Sequence, residues 1–273
     1  MVAEIENERA LRALLGWWAE AGVESAEAAA ILAAPVIHEP QARATPAAAP
    51  RPAVRKVAKP PPSSAPDDAR KAADDASTMT ELRAALEAFE GCALKGTARQ
   101  TVFSDGVEGA PFMVVGEAPG RDEDTEGRPF FGRSGQLLDR MLGSIGLSRT
   151  DNTFISNVIF WRPPGNRPPT QGEIAACLPF IERAVVLAKP KILILAGGFA
   201  AQTLLKRDDG VMRLRGKRLT CALPALTDPL HAMVMLHPAY LLRRPQDKRL
   251  AWADLLALAD WADELGIQRG TGQ

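Results

Sequence analysis

No stretch of this chain stays apolar for anything near the roughly 20 residues that a membrane-spanning helix needs, so no membrane role is expected. Cysteine is scarce. Cys92, Cys177 and Cys221 are too few and too scattered for a disulfide framework, which fits a reducing compartment. Excess charge of either sign is missing as well: 33 Lys and Arg balance 33 Asp and Glu, a formal net charge of +0. No global basic field therefore announces a nucleic-acid partner, although an enzyme that visits DNA transiently needs only a local basic rim. The N-terminus opens on acidic and polar residues and lacks the basic-then-apolar order of an export signal, so a cytoplasmic protein is expected.

What is present is enough for one core. With 273 residues, 46% of them hydrophobic, the chain is expected to form one globular domain with an additional tail. Residues 1–33 place Leu11, Leu14, Leu15 and Trp18 at helical spacing, an amphipathic helix that either packs on the domain or docks a protein partner. Residues 34–77 turn to Pro, Ala and scattered charge around Pro60-Pro61-Pro62, a linker. Its Arg43, Arg51, Arg55, Lys56 and Lys59 have no acid among them, which suits a solvated tether or a source of non-specific DNA affinity.

From residue 78 to 273 the pattern is globular. Thr80 is placed to cap a helix running through Phe89, with Leu82, Leu86 and Phe89 on one face. Strands and helices then alternate: strand patterns at Phe112–Val115, Phe154–Phe160, Ile192–Leu195 and Met233–Leu236, helical ones at Gln136–Ile145, Glu173–Leu187, Ala200–Leu205 and Lys248–Leu265. Such alternation predicts an α/β fold, a three-layer α/β/α sandwich with a central, mainly parallel four-stranded sheet. A monomer is expected.

Two of the strands stop at turns that carry chemistry. Met113-Val114-Val115 runs into Gly116-Glu117-Ala118-Pro119-Gly120, and Met233-Val234-Met235-Leu236 runs into His237-Pro238. An α/β fold exposes polar groups at the carboxyl ends of its parallel strands in this way. Between them lie Pro129-Phe130-Phe131-Gly132-Arg133-Ser134-Gly135-Gln136 and Ser156-Asn157-Val158-Ile159-Phe160-Trp161-Arg162-Pro163-Pro164-Gly165-Asn166-Arg167. An amide such as Asn157 at a strand end presents both a donor and an acceptor.

Taken together and in this order, the four segments resemble the uracil-DNA glycosylase superfamily, most closely its family 4 branch, over roughly residues 86 to 260. The resemblance implies a monofunctional uracil-DNA glycosylase that flips uracil out of DNA and hydrolyses its N-glycosidic bond. It implies that Phe130 stacks on the extruded base, that Asn157 reads its edge, and that Gly116, Ala118, Pro119 and Gly120 shape the pocket. His237 would donate to the base O2 as negative charge develops there. Glu117 or Glu123 would stabilise the oxocarbenium-like sugar and orient water; Ala118 stands where the best-known glycosylase branch has an aspartate, which leaves the water-activating group open between the two. Leu241 or Leu242 would enter the vacated base stack, Arg243, Arg244 and Lys248 would hold phosphates, and Arg162 and Arg167 would wall the DNA groove.

Family 4 members usually carry a four-iron cluster on four cysteines. Matched by motif, Cys92 and Cys177 fall on two ligand positions, whereas Phe89 and Trp161 fall on the other two. Neither ring ligates iron, and Cys221 lies in no ligand segment, so no iron–sulfur cluster is expected and no other cofactor is implied. A rival from another class is a non-catalytic uracil- or DNA-binding module of the same fold; Glu117, Asn157 and His237 together argue against it, because a pure binder has no use for a charge-stabilising set.

Overall fold

The structure, a computed structural model, describes residues 65–270. The helix expected within residues 1–33 and the linker up to residue 64 lie outside the described residues. The rest of the expected linker is corrected: it contains helix α1 (Ala65–Asp74), which turns Ala69 and Ala73 inward. Its sequence reads as tether because the buried face is only alanine, and tertiary contacts supply what the composition hides. Arg70 pairs with the buried Glu182, and the Arg183 guanidinium donates twice to the carbonyl of Ala76, at 2.8 and 2.6 Å. Helix α2 (Met79–Ala88) is capped by Thr78, not Thr80; the Thr78 hydroxyl accepts from the Glu81 amide at 3.2 Å and the Glu81 carboxylate accepts from the Ser77 amide at 2.7 Å.

The remaining elements follow as β1 (Ser104–Gly106), β2 (Phe112–Gly116), α3 (Arg121–Glu126), α4 (Arg133–Gly143), β3 (Thr153–Asn157), α5 (Gln171–Ala188), β4 (Ile192–Ala196), α6 (Gly198–Leu205), α7 (Val211–Leu214), β5 (Arg218–Cys221), β6 (Leu230–Met235), α8 (Pro238–Arg243) and α9 (Lys248–Glu264). The sheet has six strands in the order β1-β3-β2-β4-β6-β5, not four. The four expected strands form its parallel centre, and β1 and β5 add antiparallel edges. Both edges escape a search for apolar runs, since β1 is Ser-Asp-Gly and β5 begins on an exposed arginine. Short, polar edges of this kind also discourage pairing with another chain.

Alternation along the strands sorts two cores. Met113, Val115, Phe154, Leu193, Leu195, Ala232 and Val234 pack in one cluster with Ala69, Leu82, Phe180 and Val185 of α1, α2 and α5. The intervening Val114, Ile155, Ile194 and Met233 are equally buried on the opposite face, the side of Leu138 and Met141 of α4 and Leu255 of α9. With both faces covered, the strands read as continuous apolar runs and the fold is the expected α/β/α sandwich.

The chain leaves β2 for β3 on one side and reaches β4 on the other, so a crevice opens at the carboxyl ends of these strands. Trp161, just beyond β3, is 1% exposed, and its indole N–H donates to the Thr101 hydroxyl at 3.0 Å. Trp161→Ala is expected to destabilise the domain by roughly 3–5 kcal/mol, read as a lowered midpoint in urea denaturation; an unchanged midpoint would show that the indole is not structural.

Candidate active site

The crevice holds a cavity of about 380 Å³. Ten of the sequence-predicted residues line it: Glu117, Ala118, Pro119, Gly120, Glu123, Phe130, Asn157, Arg167, His237 and Arg243. Gly116 stands immediately behind. It pairs with Asn157 across β2 and β3, and a Cβ there would lie 2.4 Å from Asn157 Oδ1 and 2.5 Å from the Phe130 ring. Only hydrogen fits, so the absence of a side chain at Gly116 is what lets amide and ring share the pocket floor. Asn157 is 2% exposed, and among the described residues its side-chain amide has no hydrogen-bond partner. A buried polar group left so costs on the order of 1–3 kcal/mol until a ligand satisfies it.

Phe130 adopts φ +52°, a left-handed conformation that costs a bulky residue on the order of 1 kcal/mol. It is held there from several sides. Glu123 accepts from the amides of Phe131 and Gly132 at 3.0 and 2.9 Å and, through its other oxygen, from Gly120 at 3.0 Å. One carboxylate thus ties the Gly116–Gly120 turn to the Phe130 loop. Glu117 contrasts with it: among the described residues its carboxylate has no hydrogen-bond partner, and burial raises its pKa.

His237 ends the β6 exit and caps α8. Its Nδ1 accepts from the Ala239 amide at 3.1 Å, which makes Nδ1 the unprotonated nitrogen and leaves Nε2–H as a donor. Burial, reinforced by the positive charge of Arg243, pushes its pKa down to about 4. The imidazole is therefore a neutral donor at physiological pH. Its ring lies nearly parallel to Phe130, with centroids 5.5 Å apart. Gly197, at φ +99°, leaves room for it, since a Cβ there would stand 3.1 Å from that of His237.

The outer residues divide. Leu241 is fully buried and is corrected as a wedge: the first turn of α8 points it inward, whereas Leu242 is exposed beside Arg243 and Arg244. Lys248 is also corrected as a phosphate anchor, because it is buried at the start of α9 with its pKa lowered by that burial and by Arg140. Arg162 donates to Asn166 Oδ1 at 2.8 Å; Arg167 engages Glu173 through both terminal nitrogens and takes that carboxyl down to about 2. Arg244 lies 3.5 Å from Asp247.

Residues that sequence reasoning missed include Ser134, Pro163, Asn166, Ala239 and Tyr240, which also line the cavity. Asn166 carried a usable signal, a Pro-Gly-Asn turn in the loop that follows β3, and it sits at φ +55°. Tyr240 had none beyond being the single tyrosine of the chain.

This arrangement has relatives. Residues 103–256 match the model of the uracil DNA glycosylase superfamily. The chain belongs to that superfamily, in its family 4 branch. It is 39% identical to a type-4 uracil-DNA glycosylase of Archaeoglobus fulgidus over 159 residues, 57% of this chain and 78% of the relative. It is 34% identical to one from Pyrobaculum aerophilum over 171 residues, 61% of this chain and 86% of the relative.

The four positions to which the resemblance assigns a cluster are Phe89, Cys92, Trp161 and Cys177. Cys92 and Cys177 are buried neighbours: the hydrogen bond from Cys177 holds the Cys92 thiol down, and burial pushes Cys177 well up. Phe89 packs on Phe180 at 5.3 Å and Trp161 bonds Thr101. Among the described residues no three His, Cys, Asp or Glu side chains are grouped to hold a metal ion. Two thiols and two aromatic rings do not fit a four-iron cluster.

The low pKa of His237 has a sign. In the unfolded chain it titrates near 6.5, so as pH falls from 6.5 toward 4 the unfolded state gains a proton that the folded state refuses. Stability is expected to drop across that window by up to roughly 3 kcal/mol from this residue, and His237→Gln should flatten the drop when denaturation is followed against pH.

Proposed function

We propose that this chain is a monofunctional uracil-DNA glycosylase, which turns uracil out of DNA and hydrolyses the N-glycosidic bond to leave an abasic site in base excision repair. The observation that carries the reading is the buried amide of Asn157 on the pocket floor, without a hydrogen-bond partner among the described residues and flanked by the Phe130 ring and the neutral His237 donor. Asn157 Nδ2–H donates to uracil O4 and Oδ1 accepts from N3–H. Cytosine would set donor against donor and acceptor against acceptor.

As the C1′–N1 bond breaks, its electron pair passes into the base and charge collects on O2. His237 Nε2–H meets that oxygen, and because the imidazole starts neutral it polarises the base without first giving up a proton. The sugar is left oxocarbenium-like. The Glu117 carboxylate, which has no hydrogen-bond partner among the described residues, stabilises it and takes the proton of the water that adds to C1′. Glu123, with three amides on its oxygens, builds the site and does not move protons. Leu242 enters the gap in the stack, and Arg243, Arg244 and Arg162 face the phosphates. No step uses an iron–sulfur group.

A labelled oligonucleotide with one uracil, incubated with the protein and treated with alkali, should break at the uracil and at no cytosine or thymine; an intact strand would end the reading. His237→Ala should slow single-turnover excision by roughly 10²–10³-fold with DNA affinity retained. The acid limb of the rate profile should follow Glu117, above the ordinary carboxylate range, and vanish in Glu117→Gln. Protein purified without oxygen should contain no stoichiometric iron, and stoichiometric iron would show that Cys92 and Cys177 hold a cluster after all.

A further inference from the structure

Arg149 lies in the turn before β3, nineteen residues after Phe130 in the sequence, and it does not line the cavity. Its guanidinium nonetheless reaches the back of the Phe130 loop. Nη2 donates to the Phe130 carbonyl at 2.9 Å and Nη1 reaches the Pro129 carbonyl at 3.3 Å. The same group is fixed from behind by Asp105 of edge strand β1, at 2.6 Å from Nη1, and by Asp139 of α4, at 2.9 Å from Nε and 2.7 Å from Nη2. Only 14% of the side chain is exposed.

These bonds converge on the one aromatic residue of the site that sits in the left-handed region. The Phe130 carbonyl also passes so near α4 that a Cβ on Gly135 would come within 1.7 Å of it. Glu123 holds the amides that follow Phe130, and Arg149 holds the carbonyls of Pro129 and Phe130 itself. A peptide plane gripped on both sides cannot rotate back to an ordinary φ, and the direction of the ring follows from that φ. Lysine offers the same charge but not the planar fork that serves two carbonyls and two carboxylates together.

We infer that Arg149 is a positioning residue for base recognition: it holds the Phe130 peptide in its left-handed conformation and so presents the ring to the extruded base. This rests on the function proposed above. Asp105 extends the device outward, since it also pairs with Arg128 at 2.9 Å, whose guanidinium lies 5.9 Å from the ring of the exposed Phe131.

The test is a double-mutant cycle of Arg149→Lys and Phe130→Ala in the full chain, read by single-turnover excision of uracil, inhibition by free uracil and affinity for abasic-site DNA. Arg149→Lys should slow excision by roughly tenfold or more and weaken free-uracil inhibition by a similar factor. Affinity for abasic-site DNA, which offers no base to stack, should stay within about twofold, and in the Phe130→Ala background the lysine change should cost less than about twofold. Parental rates in Arg149→Lys, or an equal loss with and without the Phe130 ring, would overturn the inference. Should Arg149→Lys lose its native circular dichroism, Asp139→Asn, which loosens the guanidinium from the solvent side, takes its place; it should slow excision by about threefold or more, and no change would overturn the inference equally. A parent protein that releases no uracil would instead sink the proposed function.

Discussion

The site depends on the parallel pairing of β2 with β3. That pairing sets Gly116 opposite Asn157 and continues past the strands, with the Val158 amide on the Gly116 carbonyl and the Ile159 amide on that of Glu117, each at 3.0 Å. A slip of one residue would turn every side chain to the other face. Asn157 would then leave the pocket and Ser156, which now bonds the Phe103 carbonyl at 2.6 Å, would leave the core. The absent Cβ of Gly116 and the close approach of the Phe130 ring have meaning only in this register.

Two carboxylates six residues apart illustrate how environment divides labour. Glu123 spends its oxygens on three backbone amides and joins two walls of the cavity, while Glu117 keeps its oxygens open in a half-buried setting that raises its pKa. The same logic separates the aromatic pair. Phe130 is turned inward by a peptide locked on both sides, and Phe131, whose amide is held by Glu123, leaves its ring exposed against Arg128. His237 is likewise made by its setting: the bond from Ala239 selects the tautomer, and burial keeps it neutral.

Much of this was legible beforehand because it lives in local patterns. The central strands are continuous apolar runs ending in Gly-Glu-Ala-Pro-Gly, Asn and His-Pro, and such runs both make a doubly covered parallel sheet and mark where polar groups emerge. Asn157 and His237 stand at such ends, Phe130 was reached only through the resemblance, and the structure brings all three to one cavity. What escaped is weak in local signal. Helix α1 buries only alanines, and β1 and β5 are too short and polar to read as strands.

Leu241 and Leu242 are adjacent and chemically alike, so no pattern in the chain says which is buried; the turn of α8 does. Lys248 reads as a surface cation until the packing of α9 buries it. The sequence by itself determined the alternation of strands and helices and the turns that carry polar groups. All of these follow from residue type and short-range spacing. Tertiary structure alone decided which carboxylate stays open, which leucine faces out and how Arg149 reaches the Phe130 loop, because each rests on groups far apart in the chain whose separation only folding removes.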